Sequence, residues 1–111
     1  MDLTHTNEKS PDLGALLRMR ESMPEGEWRL RSDAAQVAAN YLRCHPRVAE
    51  VRYPGLTSDE AYREASSTLR GGFGPLVWLR RVGEGSWLLF EASCADPREQ
   101  VLELERFLAG R

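Results

Sequence analysis

Lysine is nearly absent from this chain of 111 residues: of its fifteen basic residues fourteen are arginine, and Lys9 is the one lysine. A Schiff-base lysine works when it is desolvated or set beside another cation. Lys9 stands in the polar stretch MDLTHTNEKSP, where its amine is solvated, so lysine chemistry is not expected. Cysteine is also scarce. Cys44 and Cys94 lie far apart and form no CxxC pair, which leaves neither a zinc cluster nor a dithiol motif and predicts two free, partly buried thiols. No apolar run approaches the about 18 residues a membrane helix requires. The start of the chain lacks the basic-then-apolar layout of a secretion signal, so a cytoplasmic protein without a membrane partner is expected. Acidic residues outnumber basic ones and the net charge is −2. That balance argues against nucleic acid as a partner, because phosphate neutralisation requires a basic surface. There is no internal repeat.

What is present suits one small soluble domain: 12.6 kDa, 41% hydrophobic and 29% charged residues. Residues 1–11 read as a disordered N-terminal extension and 12–111 as a single α+β domain. From Asp12, the spacing of Leu13, Leu16, Leu17 and Met19 predicts a short helix that ends before Pro24. Pro24-Glu25-Gly26-Glu27 reads as a break. A second helix is then expected after Ser32 as N-cap, with Ala34, Val37, Ala38, Tyr41 and Leu42 on one face, ending near Cys44 before Pro46.

Val48 to Tyr53 alternates like a half-buried strand, with Ala49, Val51 and Tyr53 on one side. Thr57-Ser58-Asp59-Glu60 has a capping-box pattern and opens a third helix that runs to Gly71-Gly72. Leu76-Val77-Trp78-Leu79 and Trp87-Leu88-Leu89-Phe90, separated by Gly83-Glu84-Gly85, predict an antiparallel hairpin. Asp96-Pro97-Arg98-Glu99 caps a last helix with Val101, Leu104, Phe107 and Leu108 on one face and Gly110 as its stop. The order is ααβαββα. It predicts an α+β fold with a small, largely antiparallel sheet covered by helices on one face.

Several of these segments occur together in a specific order. Asp33-Ala34 with Val37-Ala38 and Tyr41-Leu42, then His45-Pro46-Arg47-Val48, Val51-Arg52-Tyr53-Pro54-Gly55-Leu56 and Gly72-Phe73-Gly74 resemble the C-terminal small domain of the Cys/Met-metabolism enzymes that use pyridoxal phosphate (PLP), the cystathionine γ-synthase, cystathionine lyase and methionine γ-lyase group. Arg18-Met19 in the first helix, and the stretch from Trp87 to Leu108 with its Asp-Pro start, are similar as well. The resemblance implies the small-domain fold of those enzymes. It also marks what is missing.

The family's large domain, which supplies the PLP lysine, phosphate-binding groups and a stacking aromatic, has no counterpart in this sequence. A helix and a strand between the family's Gly-rich and final strands are replaced by Arg80 to Ser86. The arginine that holds the substrate carboxylate in the final strand aligns with Leu89. Met23 to Ser32, with Trp28, looks like an insertion. The resemblance therefore implies no catalytic, no cofactor-binding and no metal residue in this chain, and PLP only if a separate large domain joins it. The expectation is a non-catalytic stand-alone relative that acts through a homodimer or a PLP-enzyme partner. The alternatives are a split subunit completing a sulfur amino-acid lyase or synthase, and a small-molecule binding module with Trp28 as a lid.

The residues offer sharper readings, each weaker than its plain counterpart. Cys44-His45 could be a thiolate–imidazole pair, but neighbours at a helix end point apart. Gly71-Gly72-Phe73-Gly74 could cradle a phosphate, but it leads into a strand and not a helix N-terminus. Arg29, Arg31, Arg80 and Arg81 could bind an anion, yet the alternating acids favour a solvated surface. Trp28, Trp78 and Trp87 could line a pocket, yet strand aromatics such as Trp78 and Trp87 usually pack in a core or an interface.

Overall fold

The computed structural model describes residues 2–7 and 11–110. It contains β1 (Asp2–Thr6), α1 (Leu13–Glu21), α2 (Glu25–Arg43), β2 (Val48–Arg52), α3 (Tyr62–Thr68), β3 (Leu76–Arg81), β4 (Trp87–Glu91) and α4 (Pro97–Ala109). The four strands make one antiparallel sheet in the order β1-β4-β3-β2. The expected α+β fold is present, with one strand more than the sequence predicted.

That strand overturns the disordered extension over residues 2–6. Thr4 and Thr6 are β-branched, and β4 offers an open edge on which Leu3 comes opposite Phe90, so Leu3 packs against the main core. Lys9 lies outside the described residues. The core face of the sheet presents Val77, Leu79, Leu88 and Phe90 to Ala34, Ala35, Ala38, Ala39 and Leu42 of α2 and to Leu104 and Leu108 of α4. Five alanine and leucine side chains on α2 let that helix approach the sheet closely. The predicted face of α2 is correct except at Val37, which is exposed.

Helix α2 also starts earlier than its sequence suggests. Pro24 occupies the N-cap, where a missing N–H is no loss, and Glu25 and Glu27 lie in the first turn beside the positive helix end. The apolar stripe of Ala35, Ala39 and Leu42 extends back through Ser32 to Trp28 at helical spacing. Ser32 is therefore an interior residue of α2 and not its cap. Trp28 belongs to a second cluster with Leu16, Ala65 and Leu69, against which Leu13, Leu17, Met23, Phe73 and Leu76 pack. Met23 to Ser32 thus builds core.

Two shorter corrections concern β2 and α3. A bulge between Val48 and Glu50 turns both Val48 and Val51 to the core and leaves Ala49 exposed, against simple alternation. Helix α3 begins at Tyr62 and not at the Thr57 capping box, because Asp59 is used elsewhere. Helix α1 starts after Asp12 as expected, with Asp12 as its N-cap, and the cap of α4 by Asp96, with Pro97 in the first turn and Gly110 at the end, matches the sequence reading.

Candidate functional site

Helices α2 and α4 cover one face of the sheet, so chemistry would have to lie on the other face or at the loops. A row of paired positions crosses that second face: Thr4 on β1, Leu89 on β4, Trp78 on β3 and Arg52 on β2. Trp78 and Trp87 are buried on it, as strand aromatics were expected to be. Clefts of about 380 and 460 Å³ flank Arg52, the first lined by Arg43, Ser58 and Asp59, the second by Arg80, Gly85 and Trp87.

Of the three arginines in these clefts, Arg43 is exposed and donates to Ser58 Oγ at 3.4 Å, while Arg52 and Arg80 are engaged by carboxylates. Arg52 donates through Nε and Nη2 to the two oxygens of Asp59, at 2.8 and 2.9 Å. Asp59 also accepts the backbone N–H of Tyr53 at 3.0 Å and of Ala61 at 2.9 Å. Its side chain is 1% exposed. Burial by itself raises the Asp59 pKa, but the Arg52 guanidinium and the two backbone donors outweigh it and hold the carboxyl below its ordinary value. The same hydrogen bond raises the Arg52 pKa. Arg80 donates through Nε and Nη2 to Glu50, at 3.0 and 2.8 Å, and through Nη1 to the carbonyl of Glu84 at 2.8 Å. These guanidinium groups fasten turns to strands and offer little to an added anion.

The Asp59 clasp makes a prediction about stability. A carboxyl with a depressed folded pKa stabilises the fold above its unfolded value, about 3.9, and loses that contribution as pH falls through the folded value. Asp59→Asn is expected to cost about 2 kcal/mol at neutral pH, by loss of a charge-assisted clasp. Urea melts of both proteins from pH 7 to pH 2.5 test this. The gap between them should be constant down to about pH 4 and shrink below it; a gap that grows on acidification contradicts the assignment.

The other candidates separate clearly. Cys44 and Cys94 are both exposed, not partly buried. His45 is occupied at both nitrogens: Nδ1 accepts the Arg47 N–H at 3.0 Å, and Nε2 lies 3.0 Å from Glu105 Oε1. The proton is thus on Nε2. Tyr41 donates to the same Glu105 oxygen, and its ring meets His45 edge-on. Such an imidazole is a clamp between α2 and α4 and no base for Cys44. In the glycine loop, Gly74 donates its N–H to Ser32 Oγ at 3.0 Å and accepts the Tyr53 hydroxyl at 2.9 Å. The Tyr53 pKa is raised, first by burial and then by Asp33.

Of the four arginines read as solvated, Arg29 is exposed. Arg31 is half-buried and ties α2 to the carbonyl of Ala92 at 3.0 Å. Arg81 is paired with Glu84 and lies over the Phe107 ring, 4.8 Å from its centroid. Sequence reasoning missed Asp59, whose place in a capping-box pattern hid its part in the Arg52 clasp. It also missed Gln100, buried at the start of α4, which binds the backbone of Ser93 on both sides and the carbonyl of Ala95.

No protein-family model matches the chain. Solved structures do match it. It is similar to cystathionine γ-synthase from Xanthomonas oryzae pv. oryzae in complex with cystathionine, with a TM-score of 0.69 and 14% identity over 77% of this chain and 34% of that one. It is similar to a methionine γ-lyase from Micromonospora echinospora, with a TM-score of 0.67 and 18% identity over 74% of this chain and 32% of the other. A Campylobacter jejuni protein assigned as an O-acetylhomoserine (thiol)-lyase, with a pyridoxyl-lysine, gives 0.67 and 13% over 75% of this chain and 28% of its own. The chain spans about a third of the length of these structures.

The described residues do not fit pyridoxal phosphate. They include no lysine, the only one being Lys9. The backbone of Gly74 is spent on Ser32 and Tyr53, and the cleft arginines Arg52 and Arg80 are closed onto Asp59 and Glu50. Where the resemblance places a carboxylate-binding arginine stands Leu89, and the arginine in its row, Arg52, is clasped by Asp59. What the chain shares with transsulfuration-type PLP enzymes is the fold of about a third of their length, as the segments from His45-Pro46 to Gly72-Phe73-Gly74 implied.

Proposed function

We propose that this chain is a non-catalytic protein that works by protein–protein contact, and that its first partner is a second copy of itself. The observation that carries the reading is an apolar seam on the outer side of the helical layer. Tyr41 meets Glu105 and Arg47 meets Leu108, so α2 and α4 run in the same sense. One turn before Tyr41 is Val37, and one turn before Glu105 is Leu102. Both are exposed, at 44% and 54%, and Leu30 at 55% continues the line two turns back on α2. Aligned apolar side chains of this kind mark contact surfaces more often than scattered ones do. The engaged cleft arginines supply the other half of the argument, since Arg52 and Arg80 are closed onto Asp59 and Glu50.

Titration of the full chain with pyridoxal phosphate, followed by a sulfur amino acid, tests the catalytic half. The expected result is no new visible absorbance band and no change when the amino acid is added. A band that responds to the amino acid, or turnover once a separate large domain is supplied, would replace this reading with that of an enzyme subunit. Light scattering on the same sample tests the contact half, with an oligomer expected at micromolar concentration.

A further inference from the structure

The outer faces of α2 and α4 carry charges arranged around their apolar seam. On α2 the exposed stripe runs Leu30, Asp33, Val37, Asn40 and Cys44; on α4 it runs Arg98, Leu102, Arg106 and Ala109. Spacings of three and four residues keep each set on one side of its helix. Val37 and Leu102 stand level at the centre. One turn to either side of Val37 are an acid and an amide, Asp33 and Asn40. One turn to either side of Leu102 are two arginines, Arg98 and Arg106. The stripe of one helix therefore complements the stripe of the other in charge.

We infer that a second copy seats on this face antiparallel, with α2 of each copy lying on α4 of the other about a twofold axis between Val37 and Leu102. This rests on the self-association reading above and fixes which helices meet and in which sense. Val37 then packs on the partner's Leu102, and two turns away Leu30 packs on the partner's Ala109. Asp33 comes opposite the partner's Arg106. Asn40, whose side-chain nitrogen is bound to the Gln36 carbonyl, keeps its oxygen for the partner's Arg98. Twofold symmetry makes every one of these contacts twice and then closes.

Two other twofold arrangements bury the same seam less well. Laying α2 on the partner's α2 brings Arg106 beside the partner's Arg98, like against like, and leaves Asp33 opposite a neutral amide. Glu105, already holding Tyr41 and His45, would have to answer the added arginine as well. Laying α2 on the partner's α4 in the same sense puts amino ends together and carboxyl ends together, against the helix dipoles. The antiparallel seat sets each carboxyl end against an amino end.

The same seat brings the two exposed cysteines together across the seam. Cys44 lies about 10 Å past Val37 on α2. Cys94 lies about as far before Leu102, just ahead of the Asp96 cap. Each Cys44 therefore meets the partner's Cys94, whereas within one copy the two thiols stand at opposite ends of the helical layer.

Mild oxidation of the full chain with oxidised glutathione, at a concentration where light scattering finds a dimer, tests this seat. One thiolate displaces glutathione to form a mixed disulfide, and the facing thiolate displaces the second glutathione. A covalent species of twice the 12.6 kDa chain mass is expected, and its peptides should join Cys44 to Cys94 and neither cysteine to its own kind. Val37→Glu should abolish both the dimer and the trap. Asp33→Arg should weaken the dimer about tenfold, and adding Arg106→Asp to the same chain should restore it. All of these positions are exposed, so the far-ultraviolet circular dichroism should not change. A dimer that gives Cys44–Cys44 links or a mixture of all pairings, or that is indifferent to Asp33→Arg, overturns the antiparallel seat and keeps self-association. A wild type that stays monomeric at 100-fold higher concentration overturns both; the absence of PLP chemistry is judged separately by the titration.

Discussion

Trp28→Ala is expected to remove about 3–5 kcal/mol of stability, the usual cost of deleting a large aromatic from a well-packed core. Trp28 is 1% exposed and sits among Leu16, Ala65 and Leu69, where it joins α1, α2 and α3 into one cluster. Helices α1 and α3 are short, of nine and seven residues, and neither can hold itself together without that contact. A domain of this size has roughly 5–15 kcal/mol in total, so the loss is a large fraction of it. The melting temperature should fall by about 15 °C or more.

Trp28→Phe should recover most of the loss, because the indole Nε1 has no hydrogen-bond partner to forfeit. Thermal denaturation of the three proteins decides the matter. A Trp28→Ala protein that melts with the wild type and differs only in ligand affinity would restore the lid reading of the Met23 to Ser32 segment, and would show that the second cluster contributes little.

How this segment was misread shows what a sequence of this kind discloses. Elements with both a period and punctuation were legible: the hairpin of Trp78 and Trp87, the α4 cap at Asp96-Pro97, and the apolar face of α4. Gly26 and Pro24 looked like punctuation too. They are the exposed first turn of a helix whose continuity is set by a tertiary contact, Trp28 against the glycine loop, which no local window contains. Strand β1 was hidden for a related reason. Five residues with one leucine carry almost no signal alone and become a strand only against the edge of β4.

The same holds for the clefts. Arg52 and Asp59 are seven residues apart, and their pairing depends on a turn that brings the carboxylate under Tyr53 and Ala61. What the sequence did disclose about function was mostly subtraction. It carries one lysine, has a leucine at position 89, and shows no spacing that suits a metal.

The glycine loop supplies the second large effect. Gly72 has φ +139°, a conformation that L residues rarely adopt, and a Cβ built there would lie 2.3 Å from Ser32 Cβ and 2.4 Å from its Oγ. Gly72→Ala therefore meets two separate penalties: backbone strain of about 1–3 kcal/mol and overpacking of about 1–3 kcal/mol. Gly83 separates them. It has φ +83° with nothing within 4 Å of the added Cβ, so Gly83→Ala should show the strain alone.

Replacing Ser32 by glycine as well should relieve the steric share of Gly72→Ala, at the cost of the Gly74 N–H bond and some helix propensity. Chemical denaturation of this set is expected to rank Gly83→Ala mildest and Gly72→Ala worst, with a favourable coupling in the Ser32→Gly, Gly72→Ala double variant. Equal losses at Gly72 and Gly83 would mean that the loop can back away from α2, and the Ser32 contact would then lose its place as the joint between the long helix and the start of β3. If the coupling appears, the Gly-rich segment that could be taken for a phosphate loop is a close-packed crossing of loop and helix, in which Ser32 leaves no room for a side chain at Gly72 and Leu16 and Trp28 crowd Gly74.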